Sequence, residues 1–418
     1  MRTRVTRLTA VLAVGALTVA ACGSDDDSSA GDAASDTEVS DVTTGADDTA
    51  PADDGSGSAC GSGATKVGFI YVGPKDDFGY NQAAYEAAQE VGTELGVEII
   101  NAENVPETVE DAVPVMEDMI AQGATIIFAT SYGHFQPAVE VASAHPEVCV
   151  VHQGQLESSL EEPLDNLGTF FSSVFEPVYI AGIAAGATTE TNTLGYVYAF
   201  PIPQTMQNIN AFALGAQSVN PDAKVVAVAT ADWCDPAKQA QAAQTLLDAD
   251  ADVLTQHQDC TKTVIETAEA AGAYSIGYHY DASELAPEGW LTGSDWDWTD
   301  LYADIVATSI AGEFSTSPYN GDFRIGYRDA NAPFVAFAPS TPGAAITPET
   351  QALMDDALTQ LTTDADGDGI SDVSVFEGPL SDRDGVEQIP AGEAPDYVAL
   401  DQLMSTPWFV AGVEGSLG

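Results

Sequence analysis

VGFIYVGPKDDFGYNQAAYEAAQ, Val67–Gln89, is the stretch whose reading decides the fold. Val67–Val72 is an apolar run of β-branched and aromatic residues of strand length, and Gly73-Pro74 stops it. A polar loop with two carboxylates follows, and an Ala-rich helical pattern begins near Gly79. This strand–loop–helix opening puts Asp76, Asp77, Tyr80 and Asn81 at the carboxyl end of a first β-strand. In open α/β sheets that edge binds ligands. The loop has neither GxGxxG nor GK[ST], so it lacks the phosphate-cradling chemistry of dinucleotide and P-loop sites. Hydrogen-bonding side chains beside an aromatic ring suit a neutral, planar, polar ligand.

Upstream, residues 1–21 read as a targeting segment: Arg2, Arg4 and Arg7, then the apolar run Leu8–Val19, then Ala20-Ala21. Leu17–Cys22 resembles a bacterial lipobox, which would make Cys22 the acylated mature N-terminus, and a lipid of two or more chains anchors stably. The apolar run is short for a membrane span. Residues 22–64 follow as an acidic tether of Asp, Ser, Ala, Gly and Thr, too poor in large apolar residues to form a core. The expectation is a body held to the cell membrane by its lipid alone and facing the extracytoplasmic side.

The body spans roughly 350 residues, which suits two lobes better than one core. Lys and Arg number 11 against 65 Asp and Glu, a formal charge of −54. Losing the three leader arginines takes it to about −57. Such a surface repels nucleic acid and phosphorylated ligands. With Cys22 acylated, Cys60, Cys149, Cys234 and Cys260 form an even set in an exported chain and read as two disulfides. Three connectivities are open. Cys234–Cys260 is favoured because both follow strand-like runs, leaving Cys60–Cys149 to staple the tether to the first lobe. Their spacing does not suit zinc.

Along the body, strand and helix patterns alternate over short connections. Strands are expected at Val97–Ile100, Thr125–Ala129, Val148–His152 and Asn166–Phe171, with helices near 107–122, 134–144 and 176–188. A second series has strands Leu194–Tyr198, Lys224–Ala229, Asp252–Gln256 and Tyr274–Tyr278, with helices near 204–219, 236–248 and 262–271. Each crossover is long enough for a right-handed βαβ unit. Two such series predict an α/β protein of two Rossmann-like, doubly wound lobes with a ligand cleft between them. Trp290–Gly293 and the helix 298–313 then return across the hinge. The expected division is residues 65–170 plus about 291–325 for the first lobe, and 171–290 plus about 326–418 for the second.

The segments GPKDDFGYNQ (Gly73–Gln82), ATSYGHFQPAVEVA (Ala129–Ala142), EPVYIAGIAAG (Glu176–Gly186), INAFALGAQSVNP (Ile209–Pro221), DWCDPAKQAQAA (Asp232–Ala243), TQHQDC (Thr255–Cys260) and PWFVAGVEG (Pro407–Gly415) carry a resemblance in wording, order and spacing. They resemble the basic membrane protein family of ABC-transporter substrate-binding lipoproteins, whose characterised members bind purine nucleosides or related compounds. The resemblance implies lobes joined by a three-stranded hinge and closing on a base held between aromatic rings. It places Tyr80 at the stacking position, with Asp76, Asp77 and Asn81 as hydrogen-bonding neighbours. Trp233 takes the aromatic place in the opposite lobe and Asp281 the acidic place after the strand Tyr274–Tyr278. It also implies an ABC permease as partner, with the protein acting as a monomer.

Two departures from the family pattern bear on the ligand. His152-Gln153-Gly154 stands where nucleoside-binding relatives have an acid, and Trp296, in TGSDWDW, stands where they have a lysine. These changes shift the expectation towards a smaller or more aromatic ligand, with a free purine base on a par with a nucleoside. Ser131 and Tyr132 at the third strand's end, Gln153, and Phe200 after a second-lobe strand complete the candidates. One of Asp76 and Asp77 is expected to cap the helix and the other to face the cleft. His134, His145, His257 and His279 lack HExxH or HxH spacing and read as structural or solvent-facing.

Asp364, Asp366, Asp368 and Asp372, with Gly369, resemble an EF-hand loop, although Val375 stands where a bidentate Glu belongs. Calcium there would be structural and remote from the cleft; no other cofactor is required. No Ser/His/Asp or Cys/His constellation stands out, which argues against an enzyme. The reading is a purine receptor serving an ABC importer. A riboflavin-like ligand or a sensory, non-transport receptor is the alternative.

Overall fold

A computed structural model of the chain describes residues 59–154, 160, 162–325, 337–363, 365, 371, 373–394 and 407–415. Cys22 and the loop carboxylates Asp364, Asp366, Asp368 and Asp372 lie outside them.

The first lobe is built from β1 (Lys66–Ile70), α1 (Tyr80–Leu95), β2 (Glu98–Ala102), α2 (Val109–Ala121), β3 (Ile126–Ala129), α3 (Phe135–Ala144), β4 (Cys149–Gln153) and β5 (Leu167–Ser172). The second follows with α4 (Phe175–Thr188), β6 (Thr193–Tyr198), α5 (Pro203–Val219), β7 (Lys224–Ala229), α6 (Pro236–Asp248), β8 (Val253–His257), α7 (Lys262–Ala271), β9 (Tyr274–Ile276) and β10 (Trp290–Thr292). The remainder is β11 (Ser294–Trp296), α8 (Thr299–Ile310), β12 (Gly321–Ile325), β13 (Phe337–Pro339), α9 (Pro348–Leu361), β14 (Leu380–Ser381), β15 (Glu387–Ile389) and β16 (Val413–Gly415).

Both main sheets have six strands, in the orders β12-β5-β4-β3-β1-β2 and β10-β9-β8-β6-β7-β16, and their neighbours pair in parallel. A parallel sheet is covered on both faces, so its strands are apolar throughout rather than alternating. Phe69, Phe128 and Phe170 pack with α1 and α8, whereas Ile70, Ile127 and Leu167 pack with α2 and α3. In the second lobe Tyr196 and Leu194 face α4 and α5, and Val197 and Leu254 face α6 and α7. Each fully buried large apolar side chain contributes roughly 1.5–3 kcal/mol.

The small residues of EPVYIAGIAAG and INAFALGA have a packing reason. A Cβ on Gly182 would stand 2.2 Å from the Phe212 carbonyl oxygen, and one on Gly215 would stand 2.0 Å from that of Tyr179. Glycine lets α4 and α5 touch backbone to backbone.

At its start the first lobe already holds Ala59–Ala64, expected in the tether: Gly61 N–H donates to Glu147 O and Gly63 N–H to Ile310 O. The return crossing follows β10, which pairs with β9 in the second sheet. The chain then crosses as β11, which pairs antiparallel with β13, and β12 joins the first sheet. Cysteines pair as Cys60–Cys149 and Cys234–Cys260, with Cα atoms 5.0 Å apart in each.

Candidate ligand-binding cleft

In each sheet the strand order reverses around one strand, β1 in the first and β6 in the second. The crevice beyond such a reversal is the usual ligand position. The two carboxyl edges face each other here across a narrow inner cavity. Tyr80 follows β1, Ser131 and Tyr132 follow β3, Gly154 follows β4 and Phe171 belongs to β5; from the second lobe come Gln204, Trp233, His257, Asp259 and His279. A more open outer chamber shares Trp233 and Asp259 and adds Glu107, Phe200 and Asp232.

Aromatic contacts build the walls. The Tyr80 ring lies 4.9 Å from that of His279, and Phe200 packs edge-on against Trp233 at 5.1 Å. His279 has φ +76°, a left-handed conformation that non-glycine residues rarely adopt and that marks a constrained position. Behind it, the Trp296 indole Nε1 donates to His279 Nδ1 at 2.6 Å. Indole nitrogen is a donor only, so Nδ1 accepts and the proton sits on Nε2. His257 Nδ1 faces the Asn208 amide nitrogen at 3.2 Å, which assigns the same tautomer to that ring.

Burial holds both imidazoles neutral: it takes His257 down to about 3 and His279 well below its ordinary value. Burial likewise pushes the Asp259 carboxyl well above the carboxylate range, reinforced by the charges of Asp77 and Glu107. The Tyr80 hydroxyl is raised by burial and then by Asp259. Neither chamber's lining includes a Lys or Arg. The linings therefore offer aromatic faces beside buried hydrogen-bonding groups, and no cationic side chain of their own to hold a phosphate.

Of the sequence candidates, the inner cavity brings together Tyr80, Ser131, Tyr132 and Trp233, and Phe200 lines the outer chamber. Ser131 is already engaged, donating to Glu107 Oε1 at 2.5 Å.

The others stand elsewhere. Asp76 is exposed and lines neither chamber. Asp77 caps the start of α1, accepting from the backbone N–H groups of Gly79, Asn81 and Gln82. Its carboxyl is pushed up to about 6 by burial, against the lowering effect of those bonds. Asn81 is fully buried and braces the loop, donating to Asp77 and accepting from Gly73 N–H. Gln153 accepts from the Tyr302 hydroxyl at 2.5 Å beneath the cavity. Asp281 is exposed and accepts from Ser283 N–H instead of facing the ligand space. Trp296 supports His279 from behind rather than lining the cavity.

His257, Asp259, His279, Phe171 and Gln204 are the cavity residues that sequence reasoning passed over. His257 ends β8, and His279 comes shortly after β9. Strand-end position, which singled out Tyr80, was the available signal for both. Among the described residues no group of three His, Cys, Asp or Glu side chains is placed to hold a metal ion.

Two parallel α/β lobes closing an aromatic cavity at their facing strand ends define a two-lobed solute-binding protein. The chain belongs to the PnrA-like ABC transporter substrate-binding family (Bmp), whose model matches residues 64–336. It is 32% identical to a purine-binding protein of Brucella abortus, over 86% of this chain and 96% of that one. A Haloferax volcanii protein named as an ABC transporter glucose-binding protein is 31% identical over 70% of this chain and 73% of its own. Among solved structures, an ABC transporter solute-binding protein from Conexibacter woesei superposes with a TM-score of 0.57 at 21% identity, covering 71% of this chain and 96% of that one. The family and fold are those of extracytoplasmic solute-binding proteins that serve ABC permeases, not of enzymes. Among the described residues no helix is long and apolar enough to cross a membrane.

Proposed function

We propose that this protein binds a purine nucleobase or nucleoside in the interlobe cleft and delivers it to an ABC permease, held at the membrane through an acylated Cys22. The carrying observation is the inner cavity: Tyr80, Tyr132, Phe171 and Trp233 supply aromatic faces, and the neutral imidazoles of His257 and His279 and the buried carboxyl of Asp259 supply hydrogen-bonding groups at the edge. Stacking a base on one ring is worth about 1–3 kcal/mol, so a flat heterocycle draws much of its affinity from these walls. A base would be taken up among these rings as the cleft opens to admit it, and a sugar on it would be directed past Trp233 and Asp259, which line both chambers. The purine-binding relative supports the same ligand class.

A thermal-shift screen of adenine, guanine, hypoxanthine, adenosine, inosine, riboflavin and glucose tests the reading. A ligand at 100 times its Kd stabilises by about 2.7 kcal/mol, so at least one purine is expected to raise the melting temperature by several degrees. A shift with riboflavin or glucose and none with any purine would replace the purine assignment.

A further inference from the structure

The loop that carries Trp233 and the segment Asp259–Thr261 are joined twice. Cys234, next to Trp233, is disulfide-bonded to Cys260, between Asp259 and Thr261. Asp259 N–H also donates to Trp233 O at 2.9 Å. No regular element lies between the end of β7 at Ala229 and the start of α6 at Pro236, so these links locate an otherwise irregular loop.

The same segment is where the lobes touch. Tyr80 N–H donates to Asp259 O at 3.2 Å, Thr261 N–H donates to Asp77 O at 3.3 Å, and the Thr261 hydroxyl donates to Phe78 O at 2.5 Å. Gly79 lies against this edge so closely that a Cβ there would fall 1.8 Å from Asp259 O. Two ligand-facing side chains, Tyr80 and Asp259, sit on backbone units that bond each other across the cleft.

We propose that the Cys234–Cys260 disulfide is a positioning element of the binding site, fixing the Trp233 wall to the Asp259–Thr261 edge so that lobe closure and ring stacking occur as one step. It locates both parts of the second lobe that meet ligand and first lobe: the indole that covers the ligand, and the carbonyl and amide that latch onto Asp77–Tyr80. Without the bond, the wall and the latch move independently, and closing the lobes no longer brings Trp233 to the ligand. Cys60–Cys149 has no such part, because Cys149 begins β4 at the opposite edge of the sheet from the cavity. The inference goes beyond the purine reading and does not depend on which ligand binds.

The test compares full-length Cys234→Ser/Cys260→Ser with Cys60→Ser/Cys149→Ser and the parent. In ligand-free protein, hydrogen exchange at the Asp259 amide is expected to quicken at least tenfold in the first variant and stay unchanged in the second, with β6 amides unchanged in both. Calorimetry with adenine and inosine is expected to show at least tenfold weaker binding for the first variant and less than a twofold change for the second. If the parent binds neither probe, the purine reading fails and the exchange measurement alone decides the positioning role. Equal losses in both variants, unchanged exchange at Asp259, or failure of the first variant to fold would assign the bond to general stability and overturn the proposal.

Discussion

Trp296 Nε1 and His279 Nδ1 are joined by a 2.6 Å hydrogen bond, and that bond sets the protonation pattern of the cavity wall. The indole donates, so the imidazole presents its Nε2 proton. Trp296 thus touches the cavity wall through His279, with its own ring stacked on Trp298 at a centroid distance of 4.2 Å.

Trp296→Phe keeps an aromatic ring and deletes this donor. A buried acceptor left unsatisfied costs about 1–3 kcal/mol, and the freed imidazole no longer holds one tautomer. Unfolding in urea is expected to show that loss, and calorimetry with the best-binding purine a five- to tenfold weaker Kd. Unchanged affinity would mean that His279 does not contact ligand.

Gly79→Ala places a methyl group against the Asp259 carbonyl. The clash exists when the lobes meet and is relieved when they separate. The expected outcome is at least tenfold weaker ligand binding with little change in the melting temperature of ligand-free protein. Equal affinity would show that the lobes bind without this approach.

Asp295 provides a test in pH. Its carboxyl, in β11, accepts a short hydrogen bond from the Ser340 hydroxyl and is pushed up to about 7, mainly by burial. Below about pH 4 both native and unfolded forms are protonated. Between about pH 4 and 7 the unfolded chain ionises while the native carboxyl does not, so stability from this group falls as pH rises, by about 1.4 kcal/mol per unit. Asp295→Asn removes the slope. The variant should therefore gain on the parent by roughly 3 kcal/mol from pH 4 to pH 7 in urea titrations. A constant difference across that range would contradict the buried, neutral assignment.

The parts of the fold legible in the sequence were those governed by local pattern. The apolar runs, short connections and helix lengths placed the βα units within a few residues; strand-end position pointed to Tyr80, Ser131 and Tyr132, and the family resemblance to Trp233, all of which line the inner cavity. What stayed hidden depends on direction and distance. Asp76 and Asp77 are adjacent and chemically alike, and which one turns inward to cap α1 is set by the loop's path. His257 and His279 look ordinary because their role comes from burial, a left-handed backbone at His279 and a hydrogen-bond partner 17 residues on. The resemblance implies ligand positions for Trp296 and Asp281; Trp296 in β11 instead bonds His279, and Asp281, in the loop between β9 and β10, is exposed and accepts from Ser283 N–H.

The central claim is a cleft that binds a neutral purine and has no cation for phosphate. Isothermal titration calorimetry of the full-length protein with hypoxanthine, inosine and inosine monophosphate tests it most directly. The account predicts micromolar or tighter binding of the base or the nucleoside, and at least a hundredfold weaker binding of the monophosphate. Binding of the monophosphate as tight as that of inosine, or no heat with any purine, would contradict it.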